Sequence, residues 1–197
     1  KKYKKMRRKR ILKISLLVIG LILIAGLIFF GPKLVKVMQL QQDAKELVAA
    51  SSYDTFKSTQ TTIIYGSDGN ELCKMRNTKD LYYLAFKDIP EDVINSFVVV
   101  EDKKFYKHNG VDFWAISRAF FENAKSASVE QGGSTITQQL TKNIFLTQEV
   151  SWERKIEEAF IAVNLEKKYT KEDILEFYIN NIYFANGYYG IEAAARG

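Results

Sequence analysis

The run ILKISLLVIGLILIAGLIFF, residues 11–30, carries a single charge at Lys13 and constrains this chain more than any other feature. At about 1.5 Å per residue, a helix of that length crosses a hydrocarbon core of about 30 Å. The KKYKKMRRKR ahead of it holds its own end at the cytoplasmic face. The sequence therefore predicts a basic cytoplasmic tail at 1–10, a single transmembrane helix at 11–30, and everything after it on the outer side. A cleaved signal peptide is the competing reading, but its apolar stretch is about 7 to 15 residues and ends at a small-residue site. Here the run is longer and leads into Gly31, Pro32 and Lys33, which favours an uncleaved anchor.

The formal charge of +6 has to be read by its distribution. Residues 1–36 hold eleven Lys or Arg and no acid, so removing them leaves −5 for residues 37–197. The basic excess is a cap on the membrane segment and not a footprint for nucleic acid. With 47% apolar and 13% aromatic residues, the outer part can bury one sizeable core. Cys73 is the single cysteine, so no intrachain disulfide staples it.

Residues 31–62 read as a stalk and linker. VKVMQLQQDAKELVAA, residues 35–50, is built of good helix formers, and residues 51–62 are rich in Ser and Thr. TIIYGSDGNELCKM follows, two short runs about Asp68-Gly69, which signals a hairpin. From Asp88 the periodicity turns helical. Pro90 suits the first helical position, Glu91 and Asp92 the first turn, and Val93, Phe97 and Val100 recur at helical spacing, placing Glu101 near a helix end. The Val run also fits a strand. Asp112 caps FWAISRAFF. The loop KSASVEQGG then leads to a helix starting at Ser134 with Ile136, Leu140 and Ile144 on one stripe. Ser151 opens a further helix, and Thr170 with Asp173 forms a capping box for the next. The fold class is mainly α, with residues 63–197 as one domain.

The helix from Ser151 to Lys168 carries Trp152, Ile156, Phe160 and Val163 as its main stripe. Ile161 and Leu165 lie on the opposite side, in line with Arg154 and Glu158. A helix apolar on two sides is buried between neighbours. An ionised Glu158 there needs a partner such as Arg154, or serves a reaction.

Several chemistries are excluded. One histidine rules out a two-His zinc helix, and no G-x-S-x-G, phosphate loop or G-x-G-x-x-G occurs. Carboxylates and cations remain. Glu101 and Glu158 suit glycosidic-bond chemistry as a pair, though two glutamates by spacing alone are more often structural. In GGSTITQQLTKN, Gly132 and Gly133 allow close backbone approach, a helix start at Ser134 favours anions, and Lys142 adds a cation. The amides of Gln138 and Gln139 could bind a sugar or face water.

Taken in order, EDKKFYKHNG, GGSTITQQLTKN, RKIEE, KEDILEFYINNIYF and GYYGIEAAA resemble the motif set of the peptidoglycan glycosyltransferases. These bacterial cell-wall polymerases occur alone and as the first domain of bifunctional class A penicillin-binding proteins. The resemblance implies a lysozyme-like domain that polymerises lipid II at the outer face of the cell membrane, with Glu101 as general base towards the acceptor 4-hydroxyl. It implies Glu158 at the leaving pyrophosphate, acting directly or through a divalent metal (Mg or Mn) that is not obligatory. By the same match Ser134, Gln138, Gln139, Lys142, Arg154 and Lys155 bind donor sugar and pyrophosphate. Asp102, Phe105, His108, Asn180 and Gly190 support the motifs. The implied partners are lipid II, the growing glycan, the membrane and other cell-wall synthesis proteins. The Val run is expected to position and partly desolvate Glu101. Two alternatives stand beside this reading, a lysozyme-like glycan hydrolase and a catalytically inactive membrane-anchored scaffold. IEAAARG reads as the first turns of a helix, so the domain is expected to be C-terminally truncated, with a penicillin-binding domain further on.

Overall fold

The computed structural model describes residues 2–57, 62–75, 82–118, 133–147, 149 and 151–197. It divides into two compact units, Lys1–Gln42 and Asp43–Gly197. The anchor and the stalk prove to be one helix, α1 (Lys2–Ala50), with Pro32 inside it. A proline removes one intrahelical hydrogen bond, which strong helix formers on both sides tolerate, so Gly31-Pro32 does not end the element. In the first unit Leu17, Leu21, Leu27, Ile28, Phe29 and Phe30 are exposed. Among the described residues this is one helix long and apolar enough to cross a membrane.

The second unit starts with the last turns of α1, whose Ala44 and Val48 join the core. Residues 51–57, expected as linker, are instead packed. Ser52 caps a short α2 (Tyr53–Phe56), and Phe56 is fully buried, stacked on Phe177 with ring centroids 4.0 Å apart. Tyr53 donates to Asp173 at 2.5 Å, and that hydrogen bond is the main reason its phenol is pushed up to about 12. Ser and Thr content suggests a loose tether, but the Phe56 ring among them is too apolar to stay in water, and Tyr53, 44% exposed, packs edge-on against Phe177 beside it. Residues 58–61 lie outside the described set. The hairpin forms as expected, β1 (Thr62–Tyr65) antiparallel to β2 (Glu71–Met75), with Asp68 accepting from Asn70 N and Gly69 at φ +79. Cys73 is exposed and free.

The Val run is helical, within α3 (Glu91–Glu101), which starts one residue later than expected, with Pro90 as its N-cap. Its buried stripe is Ile94 and Val98; Val93 and Phe97 are half-buried, and Val100 is 76% exposed. Asp112 caps the helical residues 113–118 (α4), accepting from Trp114 N and Ala115 N, and its carboxyl is held below the usual range. Burial opposes that shift, and the backbone donors and Lys104 outweigh it.

Three helices then build the core: α5 (Ile136–Phe145), α6 (Trp152–Lys168) and α7 (Lys171–Asn181), followed by α8 (Ile191–Arg196). Ile136, Leu140, Ile161, Leu165, Ile174, Leu175, Phe177 and Ile179 are fully excluded from water. The buried face of α6 is Glu158, Ile161, Ala162 and Leu165, while Trp152 at the head of the expected main stripe is 49% exposed. Where the chain turns after α3, Gly110 sits at φ +89, and a Cβ there would lie 2.7 Å from the Ala162 backbone. Gly110→Ala is therefore expected to lower stability by about 3 kcal/mol, through left-handed strain plus a backbone clash. The measurement is the urea midpoint of the solubilised protein at unchanged slope.

Candidate active site

The α5 N-terminus sets the geometry of the site. Its cap is Thr135 and not Ser134. Thr135 Oγ1 accepts from Gln138 N at 3.1 Å, and Gln138 Oε1 accepts from Thr135 N at 3.2 Å. That capping box, T-x-x-Q, stands in the sequence one residue beyond Ser134. The shift leaves Ser134 Oγ outside the helix, where it accepts from Lys155 Nζ at 2.9 Å. At the helix start, Ile136 N donates to Asp102 Oδ2 at 3.2 Å and Gln138 N to Thr135, so these two N–H groups are already engaged. Gly133 is half-buried, and Gly132, like residues 119–131, lies outside the described set.

Beside that terminus opens a cleft of about 480 Å³, lined by Val100, Glu101, Ser134, Gln138, Gln139, Lys142, Arg154, Lys155 and Glu158. All eight residues expected to be catalytic or substrate-binding thus meet in one place, contributed by α3, by Ser134 and α5, and by α6. Asp102, Phe105, His108, Asn180 and Gly190 do not line it.

The two carboxylates differ sharply. Glu101 ends α3 and is exposed. The Val run does not desolvate it, since Val99 and Val100 are exposed as well: the apolar residues preceding it turn around the helix instead of forming one wall. Its Oε2 accepts from Gln139 Nε2 at 2.9 Å, and Gln139 Oε1 in turn accepts from Tyr178 at 3.1 Å. Glu158 is 2% exposed. Arg154 donates to its Oε2 at 3.1 Å, while Lys155 and Gln138 donate to its Oε1, the amide at 3.1 Å. Every partner is a donor, so Glu158 is an acceptor-only carboxylate that aims two cations.

That donor set bears on a metal. Among the described residues no group of three or more His, Cys, Asp or Glu side chains could hold an ion, and both Glu158 oxygens are occupied. The arrangement does not fit a divalent ion at Glu158.

Behind the cleft, Asp102 Oδ2 accepts from both His108 Nε2, at 2.8 Å, and the first N–H of α5. The residue after Glu101 is thereby tied to the helix that carries Gln138 and Gln139. Glu166, which the sequence reading passed over, accepts from Thr137 at 2.5 Å and Lys171 at 2.7 Å, and Lys171 lies over the buried Phe105 ring at 4.3 Å. Asn180 holds the Leu84 backbone at both N–H and C=O, each at 2.8 Å. Gly190, at φ +80, passes so close to the Asn180 carbonyl oxygen that a Cβ would lie 2.6 Å from it.

An exposed carboxylate on a helix end and a buried, cation-paired one thus face one polar cleft in a mainly helical domain. The transglycosylase family matches residues 68–197, and the chain belongs to it. It is 40% identical over 185 residues to penicillin-binding protein 1A of Aquifex aeolicus, covering 94% of this chain and 24% of that protein. It is 44% identical over 138 residues to penicillin-binding protein 4 of Bacillus subtilis, covering 70% and 22%. Penicillin-binding protein 1A of Pseudomonas aeruginosa is 42% identical over 151 residues, covering 74% and 18%. The chain thus spans about a quarter or less of the length of these relatives.

Proposed function

We propose that this chain polymerises lipid II into glycan strands as a peptidoglycan glycosyltransferase of cell-wall synthesis. The observation that carries the reading is the pairing, in one cleft, of an exposed carboxylate on a helix end with a cluster of cations. Glu101 takes the proton from the acceptor 4-hydroxyl as that oxygen attacks the anomeric carbon of the lipid-linked donor. The bond to the undecaprenyl pyrophosphate breaks on the opposite face, so the α-linked donor gives a β-linked product. The departing electron pair stays on the pyrophosphate, where Lys142, Arg154 and Lys155 offset the charge without an acid catalyst. Glu158 acts by holding Arg154 and Lys155 in place. Ser134, Gln138 and Gln139 contact donor sugar and pyrophosphate.

The α1 segment supports a membrane anchor with a cytoplasmic basic tail and an extracytoplasmic domain, because positive flanks stay inside. Tethering beside lipid-linked substrates raises their effective concentration.

A hydrolase would use the same pair of carboxylates to admit water, but its leaving group is a neutral sugar alcohol, for which the cluster of Lys142, Arg154 and Lys155 has no purpose; the cations favour the transferase. The test is incubation of the full-length protein with labelled lipid II, and separately with preformed uncrosslinked glycan. Polymer is expected from the first and no shortening in the second; chain cleavage without polymer would reverse the reading in favour of the hydrolase.

A further inference from the structure

We infer that Tyr178 is a positioning residue for Glu101, acting through the Gln139 amide. The inference rests on the polymerase reading above and adds to it the device that holds the base.

Glu101 is the last residue of α3 with an exposed side chain, so packing does not select its rotamer. Its described hydrogen bond is the one to Oε2 from Gln139 Nε2, at 2.9 Å. An ionised carboxylate can only accept, so the amide has to present its NH₂ to Glu101 and its carbonyl away from it. A glutamine amide left to itself can turn over. Here the Tyr178 hydroxyl, donating to Gln139 Oε1 at 3.1 Å, removes that freedom.

Tyr178 is suited to act as the fixed point. It lies on α7 between Phe177 and Ile179, both fully buried, and is itself 2% exposed. Its ring packs edge-on against Phe97, 5.9 Å between centroids, and Phe97 lies one helical turn before Glu101 on α3. One side chain therefore touches α3 by its ring and holds, by its hydroxyl, the amide that binds the carboxylate. Burial pushes the phenol up, and the Glu101 charge adds to it, so Tyr178 remains a donor across the working pH range. The chain O–H···O=C–N–H···⁻O is polarised in one direction, each link strengthening the next. It tethers Oε2 and leaves Oε1, which has no hydrogen bond to a described residue, for the acceptor hydroxyl.

Tyr178→Phe keeps the ring and deletes the hydroxyl. In the full-length protein the expected result is a fall in kcat of about tenfold with KM within twofold of the parent and an unchanged melting temperature, because base placement suffers while binding does not. Gln139→Ala should lose more, and the double variant should be no slower than Gln139→Ala alone, since both act through one contact. A kcat within twofold of the parent, additive losses, or a kcat loss matched by a fall in melting temperature would overturn the inference. If the parent itself forms no polymer, the polymerase reading fails and the tether is judged separately. The side-chain amide resonance of Gln139, assigned by its loss in Gln139→Ala, should shift in Tyr178→Phe; an unshifted resonance overturns the tether.

Discussion

Glu101→Gln in the full-length protein is expected to abolish polymerisation of labelled lipid II, with turnover lower by about 10²- to 10⁴-fold, while folding and membrane association stay as in the parent. The size follows from what a positioned general base contributes to a proton transfer in the transition state. Folding should be untouched because the Glu101 side chain is exposed and terminates its helix, a position where substitutions change stability by about 0.5 kcal/mol or less. The replacement is also quiet for its neighbour. A glutamine carbonyl at 101 still accepts from Gln139 Nε2, so the link on to Tyr178 persists and only the proton-accepting oxygen is lost. That separates the chemistry from the geometry, which Glu101→Ala would not do. Substrate capture should survive as well, because the cations of the cleft are unchanged, so KM is expected near that of the parent. Polymer formed at the parent's rate would remove Glu101 from the mechanism and leave its place in the cleft without a chemical role.

The site was legible in the sequence to different depths at different residues. Glu158 could be read from pattern alone: a charge on the same line as Ile161 and Leu165 has to be buried, and Arg154 one turn earlier is its natural partner. Lys155 as second partner follows from the same helix geometry at i, i+3. The environment of Glu101 could not be read this way. Three consecutive valines look like a dry wall in a linear sequence, but in a helix they point in three directions, and Val98 alone of them faces the core. Residues 51–57 mislead in the opposite sense, since Ser and Thr content hides Phe56, whose burial depends on Phe177 more than a hundred residues away, and Tyr53, which stays 44% exposed but packs edge-on against the same ring. Tyr178 was invisible for the same reason. It lies in a helix repeat that reads as core, and only tertiary packing brings its hydroxyl to Gln139. The cap at Thr135 was readable and mistaken by one residue, which changed the meaning of Ser134 from a helix cap to a partner of Lys155.

Removal of Glu158 should separate a charge effect from a positioning effect. The cleft holds Lys142, Arg154 and Lys155 against Glu101 and Glu158, a formal balance of +1 that Glu158→Gln raises to +2. If Glu158 mattered only as charge, the variant would hold an anionic pyrophosphate more tightly and suffer little in turnover. If Glu158 aims its neighbours, Lys155 and Arg154 lose the acceptor that orients them, and Gln138 loses its partner. The expected result is then a fall in kcat of about 100-fold, comparable to losing an aligned electrostatic contact, with KM unchanged or lower. Stability should fall too, by about 2–3 kcal/mol for Glu158→Ala, because a half-buried guanidinium loses its carboxylate partner. The value sits below the range for fully buried pairs because the Lys155 side chain is 45% exposed and water screens it. Glu158→Gln should lose less, since one oxygen can still accept from Arg154, while its amide N–H₂ must face a donor on the other side. Steady-state kinetics on labelled lipid II, set beside urea unfolding of the same variants, reads both quantities. A Glu158→Gln protein with parental kcat would show that the two cations hold their places without it.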